Sequence, residues 1–190
     1  MVYVNIEIKA RSRTPDFIRQ YLKQYADFRG TDLQTDTYFN TPTGRLKLRE
    51  GNIEKNLIYY ERGDEPGQKE SNFQLMPLID ALKLKDILSA ALGVKIVVEK
   101  RREIYFIRNV KFHLDHIDSL GDFVEIEASN LYADASKEEL QSQCSFFISA
   151  FGIAEQDFVA GSYSDMLLSL NNDPGICRDD SVDTINGFQH

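Results

Sequence analysis

The stretch Val4-Asn5-Ile6-Glu7-Ile8-Lys9-Ala10-Arg11 decides how the chain is read. Side chains of a strand alternate with a period of two, so Val4, Ile6, Ile8 and Ala10 share one face and Asn5, Glu7, Lys9 and Arg11 the other. In a single half-buried strand the polar face would simply meet water. Here the arrangement recurs. Arg45, Lys47 and Arg49 alternate with Leu46 and Leu48, Lys100 and Arg102 share a face, as do Lys111, His113 and Asp115, and Phe123, Glu125 and Glu127 oppose Val124, Ile126 and Ala128. Charges of both signs gathered on one face of strand after strand predict a closed antiparallel barrel with a charged lumen. At least seven strands are expected, with Glu7, Lys9, Arg49, Arg102 and Glu125 pointing inward.

Outward from that stretch, helical and turn signals alternate with strands, giving an α+β chain. Thr14-Pro15-Asp16 reads as a helix start, with Thr14 as cap and Pro15 at the first helical position, followed by Phe17, Ile18, Tyr21, Leu22 and Tyr25 at helical spacing. Residues 32–40 form a strand stopped by Thr41-Pro42-Thr43-Gly44, then come strands at 45–50 and 57–62, a turn-rich loop at 63–68 and a strand at 71–76. A helix is predicted from about Leu78 to Leu92 with Leu82, Leu84, Ile87, Leu88 and Leu92 inward, closed by Gly93. Strands follow at 94–107, 111–118 and 123–129. A helix from Ser136 to Phe151 opens with the capping-box spacing of Ser136 and Glu139, and a short helix covers 164–170. Residues 1–170 are expected to form one domain and 171–190, polar and acidic, a disordered tail.

Composition narrows the function. The chain has 190 residues, 42% hydrophobic and 27% charged, which suits a globular protein with a real core. A net charge of −8 argues against sequence-independent nucleic-acid binding, which needs a basic surface to displace counterions, yet leaves room for a basic lumen inside an acidic shell. No apolar run of about 18 residues and no signal-peptide pattern is present, so no membrane span and a cytoplasmic location are expected. Cys144 and Cys177 offer neither metal-ligand spacing nor a disulfide framework.

The lumenal cations suit a polyanion, and Glu7, Asp115, Glu125 and Glu127 are hard oxygen ligands of the kind Mg²⁺ or Mn²⁺ accepts. Together they describe a metal-assisted phosphoryl site in which arginines hold phosphate oxygens. His113, with no second histidine at useful spacing, reads as a structural or phosphate-contacting residue. There is no P-loop, zinc motif or nucleophilic triad.

Asn5-Ile-Glu7-Ile-Lys9, Asp36-Thr-Tyr-Phe39, Arg45-Leu-Lys-Leu-Arg49, Lys100-Arg-Arg102 with Tyr105-Phe106, His113-Leu-Asp115, Gly121-Asp-Phe-Val-Glu125-Ile-Glu127 and Gly161-Ser-Tyr163 follow one another in this order. In this the chain resembles the CYTH superfamily of triphosphate tunnel metalloenzymes over roughly residues 2–168, and most closely its class IV adenylyl cyclase branch. The resemblance implies an eight-stranded antiparallel tunnel with helices outside. It implies Glu7, Asp115, Glu125 and Glu127 as ligands of Mg²⁺ or Mn²⁺. Lys9, Arg49, Lys100 and Arg102 would act on the reacting phosphates, and Arg11, Tyr38, Arg45, Lys47, His113 and Tyr163 would bind the rest of the substrate. The implied partner is a small-molecule triphosphate: a nucleotide, thiamine triphosphate or inorganic tripolyphosphate. A homodimer is left open.

Two positions depart from the family pattern. Its opening Glu-x-Glu-x-Lys has Asn5 in place of the first glutamate, and its fourth-strand lysine is replaced by Tyr59-Tyr60-Glu61-Arg62, leaving Arg62 or Lys69 to supply that cation. The resemblance therefore implies a cyclase-like enzyme or a triphosphatase, with a non-catalytic module for nucleotide or polyphosphate as the alternative.

Overall fold

The computed structural model describes residues 3–63 and 66–172. Eight strands form one closed barrel: β1 (Tyr3–Arg11), β2 (Asp27–Phe39), β3 (Arg45–Glu50), β4 (Lys55–Arg62), β5 (Lys69–Pro77), β6 (Val94–Ile107), β7 (Val110–Ile117) and β8 (Gly121–Ser129). Around the barrel they run β1-β5-β4-β3-β2-β6-β7-β8, and every neighbouring pair is antiparallel. Closure leaves no open sheet edge.

A lumen built of charges inverts the usual barrel, so the apolar strand faces point outward and need a cover. Helix α1 (Pro15–Tyr25) and helix α3 (Lys137–Ala150) supply it. Ile18 and Leu22 of α1 and Leu140, Cys144 and Phe147 of α3 pack on Ile6, Ile8 and Ala10 of β1, Phe112 and Leu114 of β7, and Val124, Ile126 and Ala128 of β8. Each large aliphatic or aromatic side chain buried there contributes about 1.5–3 kcal/mol. Helix α2 (Leu82–Leu92) lies over β2, β3 and β4, where Leu84 and Leu88 meet Phe39 and Leu48. Helix α4 (Tyr163–Asn171) packs Tyr163, Met166 and Leu167 against Tyr38, Val98, Ile117 and Phe123, which share the strand faces of the lumenal charges.

The structure corrects several local expectations. Thr14 gives no side-chain cap to α1; the helix start rests on Pro15 and on Arg19, which reaches Asp16 within the helix and Glu103 on β6 at 3.0 Å. Helix α2 begins at Leu82 rather than Leu78, and Leu82 and Ile87, expected inward, are exposed; Leu92 is only partly covered. Of that helix, Leu84 and Leu88 are the leucines that pack on the Phe39 and Leu48 cluster. Strand β2 starts at Asp27, five residues earlier than expected, and a short 3₁₀ turn at Glu155–Asp157 precedes a bridge from Phe158 to Ala10. The capping box of α3 is present as expected, with Glu139 N donating to Ser136 Oγ and Ser136 N donating to Glu139 Oε2. The tail expected over 171–190 begins with Asn171 and Asn172 at the end of α4, and from residue 173 lies outside the described residues, as does Cys177. No helix among the described residues is long and apolar enough to cross a membrane.

Candidate functional site: a charged tunnel

Inside the barrel is a cavity of about 300 Å³. Register brings its carboxylates and cations together. Glu7 on β1 stands opposite Glu127 on β8, Lys9 opposite Glu125, His113 on β7 opposite Glu125, and Lys111 opposite Glu127. From the far wall come Lys100 and Arg102 of β6, Asp36 and Tyr38 of β2, and Lys47 and Arg49 of β3.

Buried charges persist only when paired and hydrogen-bonded. One hub is Asp36. Arg49 donates to it through Nε at 2.8 Å and Nη2 at 2.9 Å, Lys100 Nζ donates at 2.7 Å and Lys47 Nζ at 3.2 Å. Burial alone would raise the Asp36 carboxyl, but Arg49, Lys100 and Lys47 hold it well below the usual range. Lys100 moves the other way: burial, with Arg49, Arg102 and Lys47 nearby, outweighs Asp36 and lowers its ammonium to about 7.

The second hub is Arg102. Its Nε donates to Asp115 Oδ1 at 2.6 Å, and its Nη2 to Asp115 Oδ2 at 2.5 Å and to Glu125 Oε2 at 2.8 Å. Tyr163 Oη donates to Asp115 Oδ2 at 2.7 Å. Lys9 Nζ donates to Glu125 Oε1 at 2.7 Å and sits 3.8 Å from the centre of the Tyr163 ring. Burial opposes ionisation of Asp115 and Glu125, yet Arg102 keeps Asp115 near 2, and Lys9 and Arg102 keep Glu125 well below its ordinary value.

The third centre is Glu54, in the turn between β3 and β4. Arg49 Nη1 donates to its Oε2 at 2.9 Å and Lys111 Nζ to its Oε1. The turn is fixed from behind by buried Asp32, whose carboxylate accepts Ile53 N at 2.8 Å and Glu54 N at 3.0 Å. Gly51 makes this possible, since a Cβ there would lie 2.6 Å from both Asp32 oxygens.

Beside the Arg102 hub, and sharing Glu125 with it, lies the candidate metal centre. Ligand atoms of His113, Glu125 and Glu127 fall within 4.8 Å of one another. Burial, then Arg102 and Lys111, lower His113 to about 3, so the ring is neutral. His113 Nδ1 lies 3.1 Å from Glu125 Oε2 and Nε2 lies 3.5 Å from Arg102 Nη1, so the ring donates to Glu125 from Nδ1 and turns its Nε2 lone pair to Arg102; a cation held here with Glu125 and Glu127 would take the place of the Nδ1 proton. Glu127 is pushed up to about 7 by burial and by its neighbour Glu125. A neutral imidazole and two carboxylates forced close together form a donor set that a divalent cation would relieve and that fits Mg²⁺ or Mn²⁺ chemically.

Of the residues singled out in the sequence, Glu7, Lys9, Tyr38, Lys47, Arg49, Lys100, Arg102, His113, Glu125, Glu127 and Tyr163 line the cavity. Others stand apart from it. Asp115 is buried behind the lining, engaged by Arg102 and Tyr163. Arg11 is exposed and donates to Leu120 O at 2.9 Å. Arg45 pairs with Asp165 at 3.0 Å, next to the start of α4, and Lys69 Nζ donates to Val159 O at 3.3 Å and to Ala160 O. The Arg62 side chain lies outside the described residues. Sequence reasoning missed Glu54 and gave no role to Asp36, Lys111 or Tyr60, all of which line the cavity. Glu54 sits in a turn, where strand alternation gives no signal; Asp36 could have been found two residues before Tyr38 on the same face.

The sequence profile of the CYTH domain matches residues 4–163. No curated protein matches the chain. Among solved structures, the PH1012 protein from Pyrococcus horikoshii OT3 is 27% identical, with a TM-score of 0.73 over 85% of this chain and 98% of that one. A conserved hypothetical protein from Pyrococcus furiosus is 22% identical with a TM-score of 0.71, again over 85% and 98%. HpAC1 from Hippeastrum, for which a dominant triphosphatase activity is described, is 13% identical with a TM-score of 0.60 over 89% and 95%.

Proposed function

Because the chain belongs to the CYTH domain family, whose members are adenylate cyclase-like enzymes or triphosphatases, we propose that its tunnel binds a triphosphate and breaks a phosphorus–oxygen bond within it. The observation that carries this reading is the facing of six cationic side chains, Lys9, Lys47, Arg49, Lys100, Arg102 and Lys111, onto one cavity beside His113, Glu125 and Glu127.

Arg49, Lys47 and Lys100 converge on a single carboxylate, Asp36, and three donors that meet at one pair of oxygens are also placed to hold a phosphate. Arg102 and Lys9 are anchored on Asp115 and Glu125 and stabilise charge deeper in the tunnel. His113, Glu125 and Glu127 would hold Mg²⁺ or Mn²⁺, which when bound polarises phosphate oxygens as a Lewis acid. Burial excludes bulk water and strengthens each of these contacts. In hydrolysis, water adds to the terminal phosphorus and gives up a proton, the bridging P–O bond breaks, the diphosphate portion departs with the bridging oxygen, and the attacked phosphorus becomes orthophosphate. In cyclisation, a ribose hydroxyl adds to the α-phosphorus and pyrophosphate leaves. Both place the same demand on the tunnel walls.

One observation favours a second reading, a module that binds without turnover: Asn5 stands where the family pattern has a glutamate, so the metal side has one anionic ligand fewer. Product analysis with ATP, thiamine triphosphate and tripolyphosphate, each with Mg²⁺ and Mn²⁺, separates the readings. Glu127→Gln should lower kcat at least tenfold while changing binding of a non-reactive analogue much less, whereas Arg49→Ala should damage both kcat and KM. Wild-type turnover by Glu127→Gln at saturating metal would remove the metal assignment. Tight binding of a triphosphate with no turnover of any would make the protein a binding module.

A further inference from the structure

Among the described residues, the tunnel wall is charged on only part of its circumference. The cavity-lining charges come from β1, β2, β3, β6, β7, β8 and the Glu54 turn. The described lining side chains of β4 and β5 are Asn56, Ile58, Tyr60, Ser71, Phe73 and Leu75, and none carries a charge. Register makes this wall continuous: Ile58 stands beside Leu75 and Tyr60 beside Phe73 across β4 and β5, Ser71 beside Asn5 across β5 and β1, and Asn5 beside Ser129 across β1 and β8. Phe73 is held in place by the Tyr3 ring, 5.7 Å away between centroids.

Asn5 adds a second, independent observation. It is 8% exposed, lines the cavity, and its Oδ1 is buried with no hydrogen-bond partner among the described residues. A buried acceptor left unmet is destabilising, and a ligand donor would supply the missing hydrogen bond. A glutamate here would extend the acidic metal side; a carboxamide flanked by Ser71 and Ser129 instead extends the neutral wall.

We propose that this wall is a specificity subsite for the organic part of the substrate: a ring-bearing group lies against Tyr60, Phe73, Ile58 and Leu75 and donates an N–H or O–H to Asn5 Oδ1, while its phosphates face the cations opposite. The inference rests on the triphosphate reading above and narrows it to organic triphosphates. A purely inorganic chain would set anionic oxygens against the apolar side chains of β4 and β5, and taking charge out of water against such groups is unfavourable. A flat ring gains there by burial and aromatic contact.

The test measures kcat/KM of the wild-type protein for ATP, thiamine triphosphate and inorganic tripolyphosphate with the same metal, then repeats it for Asn5→Ala and Phe73→Ala. At least one organic triphosphate should exceed tripolyphosphate tenfold or more, and each variant should reduce that ratio at least threefold. If Phe73→Ala does not fold, the wild-type ranking and Asn5→Ala decide. Tripolyphosphate used as well as or better than both organic substrates, or an organic preference unchanged in the variants, overturns the subsite and leaves the triphosphate reading standing. Neither binding nor turnover of any of the three overturns that reading itself, and the subsite with it.

Discussion

At the scale of single residues, Asp36 governs the charge of the tunnel, because one buried carboxylate answers Lys47, Arg49 and Lys100. Removing one partner of a buried pair leaves the other charged in a poor solvent, and such losses run to about 3–5 kcal/mol. Asp36→Asn is therefore expected to lower unfolding stability by about that amount in urea titrations. A saturating triphosphate should restore part of the loss by supplying the missing anion, and a variant as stable as wild type would show that the hub is not needed. Lys100 gives a pH signature. Its folded value of about 7 lies below the ordinary value of 10.5, so between those limits the unfolded chain carries a proton that the fold does not. Stability attributable to Lys100 thus rises with pH from about 7 to 10.5, and below 7 both states are protonated and its burden is constant. A bound polyanion reverses the balance by favouring the ammonium. Calorimetry of triphosphate binding without metal should report proton uptake at pH 8, seen as a heat that depends on the buffer, and little at pH 6. Lys100→Met should abolish the uptake at pH 8; its persistence would place the titrating group elsewhere.

At the scale of elements, strands and helices carried different amounts of information. Period-two alternation in β1, β3, β7 and β8 showed both the barrel and its lumenal face, because a slip of one residue would put Glu7 and Lys9 against the α1 and α3 cores. Helix α2 misled for a physical reason: its leucines recur on several faces, and periodicity cannot say that only Leu84 and Leu88 find a partner. The uncharged wall was hidden in the same way, since Ile58, Tyr60, Phe73 and Leu75 look like any outward core face until closure turns them inward. Glu54 was invisible because it depends on the Asp32 clamp across a turn, a contact between positions 32 and 54 that no local pattern encodes. Helix α3 allows a test of structure apart from function. Its Ser136 cap and Glu139 partner are exposed and do not line the cavity, so Ser136→Ala should cost about 1 kcal/mol of stability while leaving triphosphate affinity unchanged. A change in affinity with that variant would mean that α3 is coupled to the tunnel.

At the scale of the whole molecule, the surplus of eight negative charges and the basic tunnel are reconciled by internal pairing. Six lining cations face five lining carboxylates, Glu7, Asp36, Glu54, Glu125 and Glu127, so the mutual repulsion of Lys47, Arg49, Lys100 and Arg102 is largely answered within the wall. A polyanion must therefore compete with carboxylates already in place for the same donors. Divalent metal changes that competition, because a cation on His113, Glu125 and Glu127 would neutralise the carboxylates that oppose the phosphates most directly. Metal and triphosphate should then strengthen each other's binding by equal factors, as linkage requires. Thermal melting reads this as a coupling. A triphosphate at a hundred times its dissociation constant adds about 2.7 kcal/mol, which for a chain of this size raises Tm by roughly 5–10 °C. The shift with Mg²⁺ and triphosphate together should exceed the sum of the separate shifts, and Glu127→Gln should reduce the excess while Ser136→Ala should not. Shifts that merely add would mean that the carboxylates of β8 and the cations of β3 and β6 act on separate ligands, and the absence of any upward shift at millimolar triphosphate would remove the anion tunnel altogether.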